Sequence, residues 1–209
     1  MGKENIVDLF PTPIYVAEKY DVTNELLKEI DDILDEGLQN NVCNYRSIDT
    51  YILDRGTQCI SNLRKHCENN INRFVEKIYK PKAKINFYIT QSWVNVTKPG
   101  QWIHYHTHSN SIISGVFYFN HVKNDGIVFS SPIPMSSIFE IEPDEFNAYN
   151  SPIYRFPIQG GELLLFSSML AHEVTKNIEQ EFDRLSLSFN TFAKGIVGEE
   201  PGLNKLELK

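Results

Sequence analysis

Gln101-Trp102-Ile103-His104-Tyr105-His106-Thr107-His108 sets three of the chain's six histidines at alternate positions. Read as a β-strand, the stretch turns all three imidazoles to one face, because successive side chains of a strand point to opposite sides. Imidazole ligates iron, copper, zinc and nickel, and an i, i+2 pair on a strand offers two rings to one ion. His172, which follows the strand-like run Gly161-Glu162-Leu163-Leu164-Leu165-Phe166, supplies a third corner and leaves positions open for ligands. Taken singly, each histidine reads as an exposed polar residue. Two strand-borne ligands, a distant third and a late Arg184 together point to a mononuclear metal centre with an anionic cosubstrate.

Short strands surround this segment. Residues 85–96, 104–108, 112–120, 127–129, 154–158, 162–166 and 185–192 carry the β pattern, and they follow two amphipathic helical stretches. In the first, Thr23 caps a run whose apolar residues Leu26, Leu27, Ile30, Ile33 and Leu34 recur at helical spacing, with Gly37 placed to end it. The second runs from about Cys59 to Tyr79, with Ile60, Leu63, Cys67, Ile71, Phe74, Val75 and Ile78 on one stripe and Pro81 beyond it. The order predicts a mainly β fold with flanking helices, an antiparallel sandwich or small barrel in place of a βαβ parallel sheet. The longer connection 130–152 reads as a mouth-covering loop holding at most one short strand near Ile138–Ile141.

Two strands carry polar faces. Arg184, Ser186, Ser188 and Asn190 alternate with Leu185, Leu187 and Phe189. Periodicity alone favours a solvent-facing polar side over a leucine core. If that side turns inward instead, Arg184 offers a bidentate fork to a carboxylate, with the Ser186 hydroxyl beside it. The strand Ile85, Phe87, Ile89, Gln91, Trp93, Asn95 changes from apolar to polar along its length, so its far end is a candidate pocket wall. Trp93 reads as core, whereas an inward Asn95 would need a partner that a ligand could supply.

Composition bounds the rest. At 209 residues the chain is read as one domain, 1–209: helical support at 20–80, a strand core at 84–192 and a tail at 193–209. No apolar run is long enough to cross a bilayer. The N-terminal residues make no secretory h-region, and Cys43, Cys59 and Cys67 form no paired pattern, so an intracellular, reducing, cytoplasmic location is expected. A net charge of −7 with scattered basic residues argues against nucleic acid as a partner. A homodimer is compatible with these features.

Several pieces in order are similar to one family. Leu9-Phe10-Pro11-Thr12-Pro13-Ile14, Trp93-Val94-Asn95, His106-Thr107-His108 before Ser114-Gly115-Val116-Phe117-Tyr118-Phe119, Gly161–Phe166 leading to His172-Glu173-Val174, and Arg184-Leu185-Ser186 leading to Asn190 are these pieces. The chain thereby resembles the 2-oxoglutarate/Fe(II)-dependent oxygenases, in particular the prolyl-hydroxylase-like branch of bacteria and phages. The resemblance implies a double-stranded β-helix, a cupin-like jelly roll with its two N-terminal helices packed on the sheet, that binds Fe(II) and 2-oxoglutarate. With O2 as oxidant, such an enzyme hydroxylates a protein side chain or a small molecule.

Carried over by position, His106 and His172 are the metal histidines, and His108 stands where the superfamily usually has Asp or Glu. Arg184 and Ser186 clamp the distal carboxylate of 2-oxoglutarate, with Tyr118 and Asn95 as further contacts. His104, Trp93 and Asn190 fall beside the metal or on the substrate side. The pair His104 and His106 has the same spacing as His106 and His108 and stays open as an alternative. A metal-binding cupin that does not use 2-oxoglutarate and a non-catalytic jelly-roll binding protein are the other readings.

Overall fold

Apolar residues at alternate positions of the strands and at helical spacing in the N-terminal third assemble into two antiparallel sheets with two helices on one side. The computed structural model describes residues 4–132 and 141–209. The larger sheet contains β1 (Tyr15–Val16), β2 (Leu38–Asn41), β3 (Asn44–Ser47), β4 (Ile85–Thr97), β6 (Ile113–Tyr118), β9 (Leu163–Ser167), β11 (Arg184–Val197) and β12 (Leu206–Leu208). Its order is β1-β9-β6-β11-β4-β3-β2, with β12 against the end of β11. The smaller sheet is β5 (Ile103–His106), β10 (His172–Val174), β7 (Gly126–Ser130) and β8 (Ile153–Pro157), in the order β5-β10-β7-β8.

Two apolar clusters flank the larger sheet. Between the sheets, Val116, Tyr118, Leu164 and Phe166 meet Ile103, Ile127, Phe129 and Val174 of the smaller sheet. On the other side Phe117, Leu163, Leu165, Leu187 and Phe189 join Leu26, Ile30 and Ile33 of α1 (Asn24–Asp35) and Ile60, Leu63, Cys67, Ile71 and Phe74 of α2 (Gln58–Phe74). Each helix opens on a threonine cap. The Thr23 hydroxyl accepts from Leu26 N and that of Thr57 from Ile60 N.

Gly37, just past α1, takes φ +138°, a backbone conformation that a side chain would strain. After α2 the chain makes a π turn at Val75–Tyr79. The wider i→i+5 turn breaks the 3.6-residue phase, and Ile78, placed by periodicity on the buried stripe, is 45 % exposed. No helix among the described residues is long and apolar enough to cross a membrane.

Two local features place the site. In β4 the register with β11 slips by one residue, from Asn190↔Gln91 to Thr191↔Ile89, so Thr90 is an inserted bulge residue. Ile85, Phe87 and Ile89 therefore face the helices while Gln91, Trp93 and Asn95 face the other way. The apolar-to-polar change along β4 is a change of face, made by the bulge.

The second feature is the hairpin β2–β3, which continues the larger sheet beyond β4 with Arg46 opposite Asn95. Of the 130–152 connection, residues 133–140 lie outside the described residues, and with them most of the strand expected near 138–141. Its two ends are joined where Ser131 N donates to Pro152 O at 2.9 Å, and no residue of 141–152 lines the cavity described next.

Candidate metal centre and anion site

β5 and β10 pair with His106 directly opposite His172, which brings their ring centroids to 4.4 Å. β5 ends at His106. His108 lies just beyond it, anchored by its backbone N–H to Ser168 O at 2.9 Å, with its ring 4.9 Å from that of His106 and 5.3 Å from that of His172. One nitrogen from each of the three rings lies within 4.8 Å of the other two, a spacing that can hold one metal ion. Glu173 points to the opposite face and is exposed, as its neighbouring position in the strand requires.

The rings are set for ligation. His106 Nδ1 faces His104 O at 2.6 Å and His172 Nδ1 faces Leu170 O at 2.9 Å. A carbonyl can only accept, so each Nδ1 carries the proton and each Nε2 keeps a lone pair for a metal. His108 is hydrogen-bonded to Asn190. Burial and the neighbouring imidazoles lower the pKa of His172 to about 3 and of His108 to about 4, and burial lowers that of His106. All three rings are thus neutral ligands near pH 7.

His104 is outside the triad. Its ring centroid lies 5.2 Å from that of His106 and its buried Nδ1 has no protein partner. Together with His106, His108, Trp93, Asn95 and Asn190 it lines a cavity of about 310 Å³ that also reaches Arg46 and Gln91. Trp93 stacks over His108 with ring centroids 6.2 Å apart. The partner that an inward Asn95 requires comes from the protein: its Oδ1 accepts from Trp93 Nε1 at 3.2 Å and its Nδ2 donates to Ser188 Oγ at 2.9 Å.

The polar side of β11 turns inward. Arg184 and Ser186 are buried, against the solvent-facing side that periodicity alone favours, because the second sheet covers that face. Arg184 Nη1 donates to Asp125 Oδ1 at 2.6 Å and to Thr175 O at 3.0 Å. Its Nε and Nη2, the Tyr118 hydroxyl and the Thr97 hydroxyl are buried without partners. Thr97 is the register partner of Arg184, and Tyr118 that of Ser186. Orphaned buried polar groups are costly; four of these can donate, and Asp125 Oδ2, also without a partner, can only accept. A carboxylate is one ligand that could satisfy the four donors.

Asp125 escaped sequence reading. It sits in Lys123-Asn124-Asp125-Gly126, which reads as a turn, and nothing in its spacing links it to Arg184, 59 residues away.

Residues 91–190 match a family model described as "Putative 2OG-Fe(II) oxygenase". That span runs from the cavity wall of β4 through the three histidines to Arg184 and Asn190. Over that span the chain is similar to the 2OG-Fe(II) oxygenases. Solved structures agree in fold. A Pseudomonas putida prolyl-4-hydroxylase superposes with TM-score 0.58 at 16% identity, over 86% of this chain and 92% of that one. The non-heme alpha ketoglutarate dependent carbocyclase SnoK from nogalamycin biosynthesis gives 0.63 at 9% identity, over 88% and 82%. HygX from Streptomyces hygroscopicus, solved with nickel, 2-oxoglutarate and hygromycin B bound, gives 0.56 at 8%, over 86% and 82%. No curated protein matches the sequence.

Proposed function

We propose that this chain is an Fe(II)- and 2-oxoglutarate-dependent dioxygenase of the hydroxylase type, with His106, His108 and His172 as metal ligands. The observation that carries the reading is the set of unpartnered buried donors around Arg184, because a metal-binding cupin without a cosubstrate has no use for them. Metal and 2-oxoglutarate, when bound, couple oxidative decarboxylation of the cosubstrate by O2 to oxidation of a substrate C–H bond. Every other task falls to the chain.

Arg184 Nε and Nη2, with the hydroxyls of Tyr118 and Thr97, bind the distal carboxylate, and Ser186 lies beside them on the same strand face. Asp125 holds the guanidinium from behind. Along β11, Arg184 stands six residues from Asn190, on the order of 20 Å of strand at about 3.4 Å per residue. The long Arg184 side chain and a five-carbon diacid bridge part of that distance toward the histidines at the Asn190 end. His104, Trp93 and Asn190 form the substrate side of the cavity, and Asn95 buttresses Trp93 and Ser188.

Three neutral imidazoles leave the metal's charge unreduced where the usual carboxylate would offset it, which favours an anionic cosubstrate. The fold is read as a double-stranded β-helix in one domain, with α1 and α2 as its outer support. HygX supports the cofactor pair through the nickel and 2-oxoglutarate in its structure.

The test is Arg184→Leu. Binding of 2-oxoglutarate should fall at least a hundredfold, since a buried fork with two further donors loses its charged centre, while metal binding measured by calorimetry persists. A variant that binds 2-oxoglutarate like the parent contradicts the assignment.

A further inference from the structure

The cavity beside the histidines has an uneven charge. Arg46 lines it together with Asn41, Gln91, Trp93, Asn95 and Asn190, and no aspartate or glutamate is among its lining residues. In a chain of net charge −7, a cation in an acid-free cavity stands out. Arg46 Nη1 donates to Ser47 O at 2.9 Å and Nη2 to Gln39 Oε1 at 2.7 Å; both acceptors are neutral. Among the described residues it forms no ion pair; the same holds for Arg73 and Arg155, but neither of them lines this cavity. A guanidinium has five N–H donors, so three remain for a ligand.

Register places this cation. Arg46 is the cross-strand partner of Asn95, and Gln91 is that of Asn190, so the arginine and three amides share one wall. His104, His106 and His108 line the same cavity. The Arg184 anion site is separate, since neither Arg184, Tyr118 nor Ser186 lines the cavity. A volume near 310 Å³ lies at the small end of ligand pockets.

Resting on the oxygenase reading above, we propose that the substrate is a small polar monocarboxylate of the amino-acid or hydroxy-acid kind, whose carboxylate pairs with Arg46. One fixed cation matches one negative charge, and a planar fork matches a carboxylate in two parallel bonds. The wall amides take its hydroxyl, amino or amide groups, and Trp93 packs its carbon chain. Holding the carboxylate at the hairpin fixes which C–H bond is presented to the metal, so Arg46 sets both substrate class and position of attack.

The probes are L-amino acids as free acids, each beside its carboxamide, with methyl phosphate as the competing anion. Binding to the full chain is read by ligand-observed NMR for the parent, Arg46→Leu and Arg46→Lys. At least one free acid should bind the parent, its carboxamide tenfold or more weakly. Arg46→Leu should lose at least tenfold, and Arg46→Lys, which keeps charge without the fork, should fall between.

The proposal is overturned if acids and carboxamides bind alike, if methyl phosphate is preferred, if no acid binds, or if Arg46→Leu binds the acid like the parent. The visible band that Fe(II) and 2-oxoglutarate produce on the same proteins separates the two claims. Its absence from the parent defeats the oxygenase reading, whereas its presence in Arg46→Leu shows that variant to be folded and leaves the NMR result to judge the substrate.

Discussion

The proposed cosubstrate site rests on Arg184, and its partner Asp125 bears on it directly. The pair is fully buried with a 2.6 Å contact, yet Asp125 Oδ2 and two guanidinium nitrogens lack partners. The two free guanidinium nitrogens could take a carboxylate, whereas Asp125 Oδ2 calls for a donor. Removing one member of a buried pair leaves the other charge uncompensated, at a cost of about 3–5 kcal/mol. Asp125→Asn should therefore lower the melting temperature by roughly 6–12 °C, taking about 3 kcal/mol and about 2–4 °C per kcal/mol for a chain this size. Metal with 2-oxoglutarate should restore part of it by supplying a carboxylate. Thermal denaturation with and without the cosubstrate reads both effects, and an unchanged midpoint would show the pair to be idle. At this scale the sequence was legible where spacing speaks, in His106, His108 and His172. It was silent on Asp125, whose role exists only across sheets.

At the scale of elements, β4 and β11 show what alternation can and cannot tell. The polar positions of β11 were legible, but which side faces inward depends on the covering sheet. Along β4 the bulge at Thr90, with its hydroxyl donating to Asn190 O at 3.2 Å, flips the face in a way no propensity announces. β11 also runs on to Val197, past the end at 192 that its pattern suggested, because β12 pairs with its last residues. The β2–β3 hairpin was missed for a simple reason. Leu38-Gln39-Asn40-Asn41 and Asn44-Tyr45-Arg46-Ser47 carry little apolar alternation, and their turn is Val42-Cys43 in place of a glycine pair.

Gly115 on β6 belongs to this scale too. It lies opposite Phe189 in register, and a Cβ there would come within 2.0 Å of the phenylalanine ring. Gly115→Ala should destabilise the protein by about 1–3 kcal/mol through overpacking, read as a lower denaturant midpoint at unchanged slope. A neutral result would mean that the sheet yields where the packing says it does not.

Across the whole molecule, a sandwich with helices behind one sheet and a second sheet in front buries His172 and partly buries His106 and His108, which keeps their imidazoles neutral. In the unfolded chain they protonate near the ordinary value of about 6.5, but in the fold His108 does so only near 4 and His172 near 3. Between those limits the unfolded state binds more protons, so stability of the metal-free protein falls as pH falls from about 6.5 toward 4, by up to about 1.4 kcal/mol per pH unit for each such histidine. Denaturant titrations at pH 7, 6 and 5 should show that decline, and His172→Gln should flatten it. A pH-independent midpoint across this range would contradict the buried, neutral triad.

Iron and 2-oxoglutarate are proposed to bind in this interior, and the most direct test is to add them. The metal-free protein, titrated without oxygen with Fe(II) and then 2-oxoglutarate, should develop a saturable visible charge-transfer band that His106→Ala and His172→Ala abolish. Metal binding with no band would leave a cupin-type centre, and no metal binding would reduce the three histidines to ordinary interior residues.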